Sequence, residues 1–356
     1  MRYAIFTSSE NGLNVAGRIK KNIKDSVDIY VHEGLGEQSE AISYSRLSDA
    51  VKEEFSRYGA LIFIMAAGIV VRTIAPFLNS KLTDPAVVVM DEQAKNIISL
   101  LSGHMGGANE LTLELAEILH SNPVITTATD VNNKLAPDLL ASRLGLVPYP
   151  KKNILHLNNA VLGEVQPEYL IDENIPCLDE YLEKMKENGI EVTVCNDGEI
   201  TKRAVESGKY KVIVSAEQYP VNEWVLYLRP RRLIAGVGCR RGVGADLIRG
   251  ALEESCKRIG WSIDRIDELA STTFKADEKG LLDIAKELNK KITFWDNSKL
   301  KEQIEYYNLA ESEFVRKAIG VGNVAEAAAF CCVNHGVEAL LKTKYEKVTV
   351  ALIWEK

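Results

Sequence analysis

No apolar run in this sequence approaches the roughly 20 residues a helix needs to cross a bilayer, which speaks against a helical membrane protein. Its six cysteines form neither a C-x-x-C pair nor a metal-binding spacing. Cys177, Cys195, Cys239 and Cys256 are scattered, and Cys331-Cys332 fall in an apolar helical pattern where packing accounts for them. Positive charge is in deficit as well. Lys and Arg number 43 against 50 Asp and Glu, a formal net charge of −7. That excludes a general binder of nucleic acid or anionic membrane and leaves room for local basic loops. Met1-Arg2-Tyr3-Ala4-Ile5-Phe6 lacks the long apolar run and small-residue cleavage site of a signal peptide. No fixed-period repeat runs through the chain. A cytoplasmic protein with reduced thiols is expected, with no nucleic-acid and no membrane partner.

What the sequence does have is an ordinary globular composition, 46% hydrophobic and 26% charged. Its 356 residues imply two or three domains. Strand, glycine loop and helix recur, which predicts an α/β protein. The expected division is a parallel-sheet N-terminal domain (1–147), a small middle α/β module (148–229) and a C-terminal α/β domain (230–356). The first boundary rests on Gly145-Leu146-Val147-Pro148-Tyr149-Pro150, where the pattern breaks. The middle segment says least. Residues 164–199 are strongly acidic and offer no anion site, with a helix over 179–187 and a hairpin signal at Asn196-Asp197-Gly198.

Residues 84–130 organise the N-terminal domain. An apolar strand (86–90), Asp91-Glu92 and a second apolar strand (96–101) lead into Ser102-Gly103-His104-Met105-Gly106-Gly107-Ala108-Asn109. A helix follows, with Ala108, Leu111, Leu115, Ile118 and Leu119 on one face and Glu110, Glu114 and Glu117 weighted to its start. Asn122-Pro123 stops it. A glycine-rich turn between a buried strand and a helix start leaves backbone N–H groups pointing outward, ready for an anion or for developing negative charge. It also carries His104, a histidine being the one side-chain type whose unperturbed pKa lies near neutrality. That is an active-site candidate.

Two further loops bear on it. The apolar strand 61–65 turns at Ala66-Ala67-Gly68 into a helix carrying Arg72, which either makes a surface ion pair or faces a ligand outside the sheet edge. Thr126-Thr127-Ala128-Thr129-Asp130 offers three hydroxyls and a carboxylate, or a plain helix cap. A wholly parallel sheet brings both loops and the His104 turn to one edge.

Near Pro230 a fresh α/β unit begins, with strand 233–236 running into Gly236-Val237-Gly238-Cys239-Arg240-Arg241-Gly242-Val243-Gly244. The dinucleotide fingerprint needs glycine where Arg241 stands, so NAD is not expected. Arg240 and Arg241 suit carboxylates, which guanidinium groups hold through paired, charge-assisted bonds. Exposed arginines closing a turn are the plainer alternative.

Three stretches together resemble the N-terminal module of the cobalt-precorrin 5A hydrolase (CbiG) family of anaerobic cobalamin biosynthesis. They are Gly68-Ile69-Val70-Val71-Arg72, Thr83-Asp84-Pro85-Ala86-Val87-Val88-Val89-Met90-Asp91-Glu92 and Leu100-Leu101-Ser102-Gly103-His104-Met105-Gly106-Gly107-Ala108-Asn109. Residues 236–242, 275–281 and 322–328 resemble its C-terminal module. The likeness is specific over 60–135, good over 232–330 and faint over 150–230.

The resemblance implies a reaction that spacing alone does not: opening of a δ-lactone on a ring-contracted cobalt corrinoid, with loss of a two-carbon fragment as acetaldehyde, to give cobalt-precorrin 5B. The small-molecule substrate bears many carboxylates, matching arginines and N–H-rich loops on an acidic protein. In that reading His104 is the base, the Gly106 and Gly107 amides receive the oxyanion, and Asp91, Glu110 or Asp130 orients the imidazole. Arg72, Ser102, Gly103, Asn109, Thr127, Thr129, Arg240 and Arg241 complete the expected substrate contacts. No cofactor or protein-held metal is expected, because the cobalt arrives with the substrate; His104 as axial ligand to that cobalt is the competing role. A non-catalytic corrinoid carrier and a nucleotide-dependent enzyme are the other classes. A homo-oligomer, and transient contact with neighbouring pathway enzymes, fit the same picture.

Overall fold

The computed structural model describes residues 2–23, 25–36, 38, 40–80, 83–104, 106–127, 135–163 and 165–355. The chain divides into two compact units, Met1–Glu173 with Asn188–Arg229, and Asn174–Glu187 with Pro230–Lys356. The α/β class holds, with three sheets in which parallel pairs predominate.

The first unit opens with β1 (Arg2–Thr7), α1 (Glu10–Asn22), β2 (Ser26–His32), β3 (Ala41–Tyr44), α2 (Leu47–Glu54), β4 (Ala60–Ile64) and α3 (Ala67–Ile74). It continues through β5 (Ala86–Met90), β6 (Asn96–Leu101), α4 (Ala108–Leu119) and β7 (Asn122–Val124). The sheet order is β3-β2-β1-β4-β5-β6-β7, and the first five strands run parallel. Their unbroken apolar runs follow from cover on both faces. Helices α1 and α4 pack over Ile5, Ile62 and Val88, and α2 and α3 over Phe6, Phe63 and Val89.

β6 departs from the expected parallel sheet. It pairs antiparallel with β5, Val88 opposite Ser99 and Met90 opposite Ile97. The connection from Asp91 to Lys95 is far shorter than the dozen or more residues a parallel crossover needs. Asp91 closes this hairpin, accepting the backbone N–H groups of Gln93 (3.0 Å), Lys95 (3.2 Å) and Asn96 (2.8 Å). β7 runs parallel to β6 and takes Pro123 at the sheet's edge, where a missing N–H is tolerated. Chains leaving β6 and β7 therefore emerge at the opposite end of the sheet from those leaving β1 and β4.

The same unit continues with α5 (Pro137–Arg143), β8 (Leu146–Tyr149), α6 (Lys151–Leu162) and β9 (Glu168–Asp172). The helix α7 (Leu178–Glu187) groups with the second unit. There Glu180 accepts the Ser262 N–H (2.8 Å) and hydroxyl (2.5 Å), and Tyr181 packs edge-on against Trp261. β10 (Val192–Cys195), α8 (Asp197–Val205), β11 (Lys211–Val214) and β12 (Val225–Pro230) complete the second sheet, ordered β10-β9-β11-β12-β8. The hairpin expected at Asn196-Asp197-Gly198 is a helix start instead. Asn196 accepts from Glu199 N–H (3.0 Å), and the Glu199 carboxylate accepts from Asn196 N–H (3.2 Å), a reciprocal cap.

In the second unit β13 (Leu233–Cys239), α9 (Ala245–Arg258), β14 (Glu268–Thr272), α10 (Lys279–Glu287) and β15 (Lys291–Trp295) form a parallel run. After α11 (Asn297–Tyr306), α12 (Glu313–Ile319) and α13 (Ala325–Cys331), the hairpin β16 (Gly336–Lys344) and β17 (Val348–Glu355) joins antiparallel to β13. The strand expected over 233–236 runs on through Val237-Gly238-Cys239, expected as loop. Gly236 is there for space, because a Cβ would lie 1.8 Å from the Ala325 carbonyl oxygen of α13.

Candidate functional site

The turn between β6 and α4 is built by glycines that side chains would obstruct. A Cβ on Gly106 would lie 2.4 Å from Ser102 Cβ and 2.8 Å from the Ser102 carbonyl oxygen. On Gly103 it would lie 2.7 Å from Asn109 Oδ1. Ser102 takes the left-handed region at φ +58°, a strained setting for a residue with a Cβ. Its hydroxyl is buried without a partner among the described residues. Gly107, at φ +84°, starts α4, where its missing Cβ removes the steric penalty.

Most of the turn's hydrogen bonds close on the turn itself. Gly107 N–H donates to His104 C=O (3.0 Å), Ala108 N–H to Ser102 C=O (3.2 Å) and Asn109 N–H to Gly103 C=O (3.1 Å). The expected pair of oxyanion donors is thereby halved, because the Gly107 amide is taken. The Gly106 N–H has no acceptor among the described residues.

His104 Nδ1 lies 3.2 Å from Asp138 Oδ1, with the two side chains 9% and 3% exposed. Asp138 is in the first turn of α5. It was not among the sequence candidates. Ala136-Pro137-Asp138 reads locally as a helix start and nothing more, and 34 residues separate the partners.

The expected orienting carboxylates are elsewhere. Asp91 sits at the other end of β6, about 17–20 Å away for a strand of this length, holding its hairpin. Burial alone would lift its carboxyl, but the amides of Asn96, Lys95 and Gln93 hold it below the usual range. Glu110 is exposed and pairs with Arg143 Nε at 3.4 Å. Asp130 and Thr129 lie outside the described residues.

Of the other expected contacts, Asn109 and Thr127 do meet at this turn. Buried Asn109 accepts from Ser99 Oγ (2.6 Å) and donates from Nδ2 to Thr127 Oγ1 (3.1 Å). Arg72 does not join them. It stands at the opposite end of the sheet, donating to Gly68 C=O at 2.9 Å.

In the second unit Arg240 is exposed, with its N–H on Lys347 C=O (3.0 Å). Arg241 donates to Asp277 (3.0 and 3.2 Å) and Phe274 C=O (3.2 Å). Beside it Gly242 N–H donates to Glu278 (2.7 Å), which Lys275 also binds (3.0 Å). Arg241 thus closes a turn, the plainer of its two readings, and a substrate carboxylate would have to displace Asp277.

That pairing is measurable. The hydrogen bond and charge of Arg241 hold the Asp277 carboxyl below its usual range. Arg241→Ala is expected to return it toward the model-peptide value of about 3.9, read by carboxyl NMR titration. Because the folded-state value is the depressed one, the pair's contribution to stability is present above the unfolded value and fades as pH falls through the folded one. An Asp277 titration unmoved by the substitution overturns the clasp.

Among the described residues no group of three or more His, Cys, Asp or Glu gathers to hold a metal ion. No described helix is long and apolar enough to cross a membrane.

Two family models match the chain: Cobalamin synthesis G N-terminal over residues 49–130 and Cobalamin synthesis G C-terminus over residues 233–353. A cobalt-precorrin-5A hydrolase of Priestia megaterium is 30% identical, over 98% of this chain and 94% of its own. A cobalt-precorrin-5A hydrolase of Salmonella typhimurium is 32% identical, over 92% and 90%. The crystal structure of a cobalamin biosynthesis protein G homolog from Sulfolobus solfataricus shares the fold, with a TM-score of 0.59 at 22% identity, over 99% of this chain and 97% of that one.

Proposed function

The chain belongs to the cobalamin synthesis G family, and from that membership we propose that it is a hydrolase acting on cobalt-precorrin-5A. It opens the δ-lactone of the corrinoid and releases acetaldehyde to give cobalt-precorrin 5B. The observation that carries the residue assignment is an imidazole on the same short turn as an amide that has no acceptor among the described residues, His104 and Gly106. Lactone opening asks for those two parts: a base for water and a donor for the oxyanion.

In this reading His104 takes a proton from water as its oxygen bonds to the lactone carbonyl carbon. The displaced electron pair moves onto the carbonyl oxygen, toward the Gly106 N–H. Collapse breaks the lactone C–O bond, and the alkoxide recovers the proton from the imidazolium. The freed hydroxyl then sits on the carbon that leaves. Loss of its proton forms the aldehyde C=O, and the C–C bonding pair passes to the macrocycle, which takes up a proton in exchange. No electrons are gained or lost overall, so no redox cofactor is consumed. The cobalt enters and leaves with the corrinoid.

Purified protein, cobalt-precorrin lactone and water are expected to form acetaldehyde one-to-one with product. Alcohol dehydrogenase and NADH report the aldehyde continuously. Lactone opening without aldehyde limits this chain to the first half of the reaction. Tight corrinoid binding with neither event makes it a carrier.

A further inference from the structure

We infer that Asp138 is a positioning residue that fixes the tautomer of His104. The inference rests on the base reading above and deepens it. An ionised carboxylate only accepts hydrogen bonds. An imidazole in water is more basic than a carboxyl by over two pK units, about 6.5 against 3.9. The proton between Nδ1 and Asp138 Oδ1, 3.2 Å apart, therefore resides on Nδ1. In the neutral ring Nε2 is then the nitrogen with the lone pair, the one that takes a proton from water. The opposite tautomer would present an N–H where a base is needed.

The fold holds the carboxylate in place from a second point. Five residues beyond Asp138, Arg143 at the end of α5 meets Glu110 in the first turn of α4 (3.4 Å) and Asn188 Oδ1 (2.9 Å). One end of α5 thus grips the His104 turn and the other grips the helix that the turn begins. With its side chain 3% exposed, Asp138 touches the imidazole rather than the solvent from which substrate arrives. That burial separates positioning from catalysis.

The test uses the full-length chain with ¹⁵N-labelled histidine. In the unaltered protein near pH 8, His104 is expected as the Nδ1–H tautomer. Asp138→Asn keeps the shape, but its amide donates to Nδ1 and drives the ring to Nε2–H. The expected kcat loss is roughly 10²–10⁴-fold with KM within about threefold, as for other histidines given the wrong tautomer. An unchanged tautomer and kcat in Asp138→Asn, while His104→Ala abolishes turnover, overturns the positioning role and leaves the base reading standing. If His104→Ala retains turnover, the base reading falls and the tautomer of the unaltered protein decides alone: Nδ1–H supports Asp138, Nε2–H overturns it. That spectrum needs no variant to fold.

Discussion

His104→Ala is expected to lower lactone opening by roughly 10²–10⁴-fold, the span that a positioned general base contributes, while the protein stays folded. The fold should survive because His104 belongs to the turn and neither to β6 nor to α4. Removal takes one hydrogen-bond partner from buried Asp138, so a loss of about 1.5–3 kcal/mol in stability is also expected, the range for hydrogen bonds to charged groups. Turnover and binding are to be measured separately. Near-normal turnover with normal binding removes the base role. Weaker binding of the cobalt substrate, beside unchanged binding of a cobalt-free analogue, assigns His104 to the cobalt as axial ligand.

Gly236→Ala is expected to carry the largest stability effect in the second unit. Its Cβ would lie 1.8 Å from the Ala325 carbonyl oxygen, 2.7 Å from the Ala325 carbonyl carbon and 3.0 Å from Ala329 Cβ. Two of these are backbone atoms of α13, which packs on β13 through Ala327, Ala328 and Phe330. No side-chain rotation relieves such a contact, so helix and strand must part. Overpacking of this kind costs about 3 kcal/mol, a fall in melting temperature of roughly 6–12 °C for a unit of this size.

Three of the four tryptophans, Trp261, Trp295 and Trp354, lie in this unit, so fluorescence follows its melting. Gly250→Ala is the control. Inside α9, with nothing within 4 Å of its Cβ position, it is expected to stabilise by about 0.5–1 kcal/mol. The same added methyl should thus move stability in opposite directions. A Gly236→Ala protein that melts with the parent means that α13 does not press on β13.

The sequence by itself determined those features whose causes are local. The apolar runs 61–65 and 86–90 announced the strands β4 and β5, and the 3.6-residue periodicity of α4 marked its buried face. The glycines of 103–107 marked a tight turn ahead of that helix. Two departures from the expected elements have local causes as well. The span Asp91–Lys95 is too short for a parallel crossover, and Asn196-x-x-Glu199 spells a reciprocal helix cap.

Only the tertiary structure decided which side chains meet. The reversal of β6 sent the His104 turn to one end of the sheet and left Arg72 and Asp91 at the other. Asp138 found His104 across 34 residues and Asp277 found Arg241 across 36. Torsional preference and periodicity act over a few neighbouring residues, so sequence spells them out. Which carboxylate reaches an imidazole depends on how distant elements pack, and many equivalent carboxylates compete for that place until packing selects one.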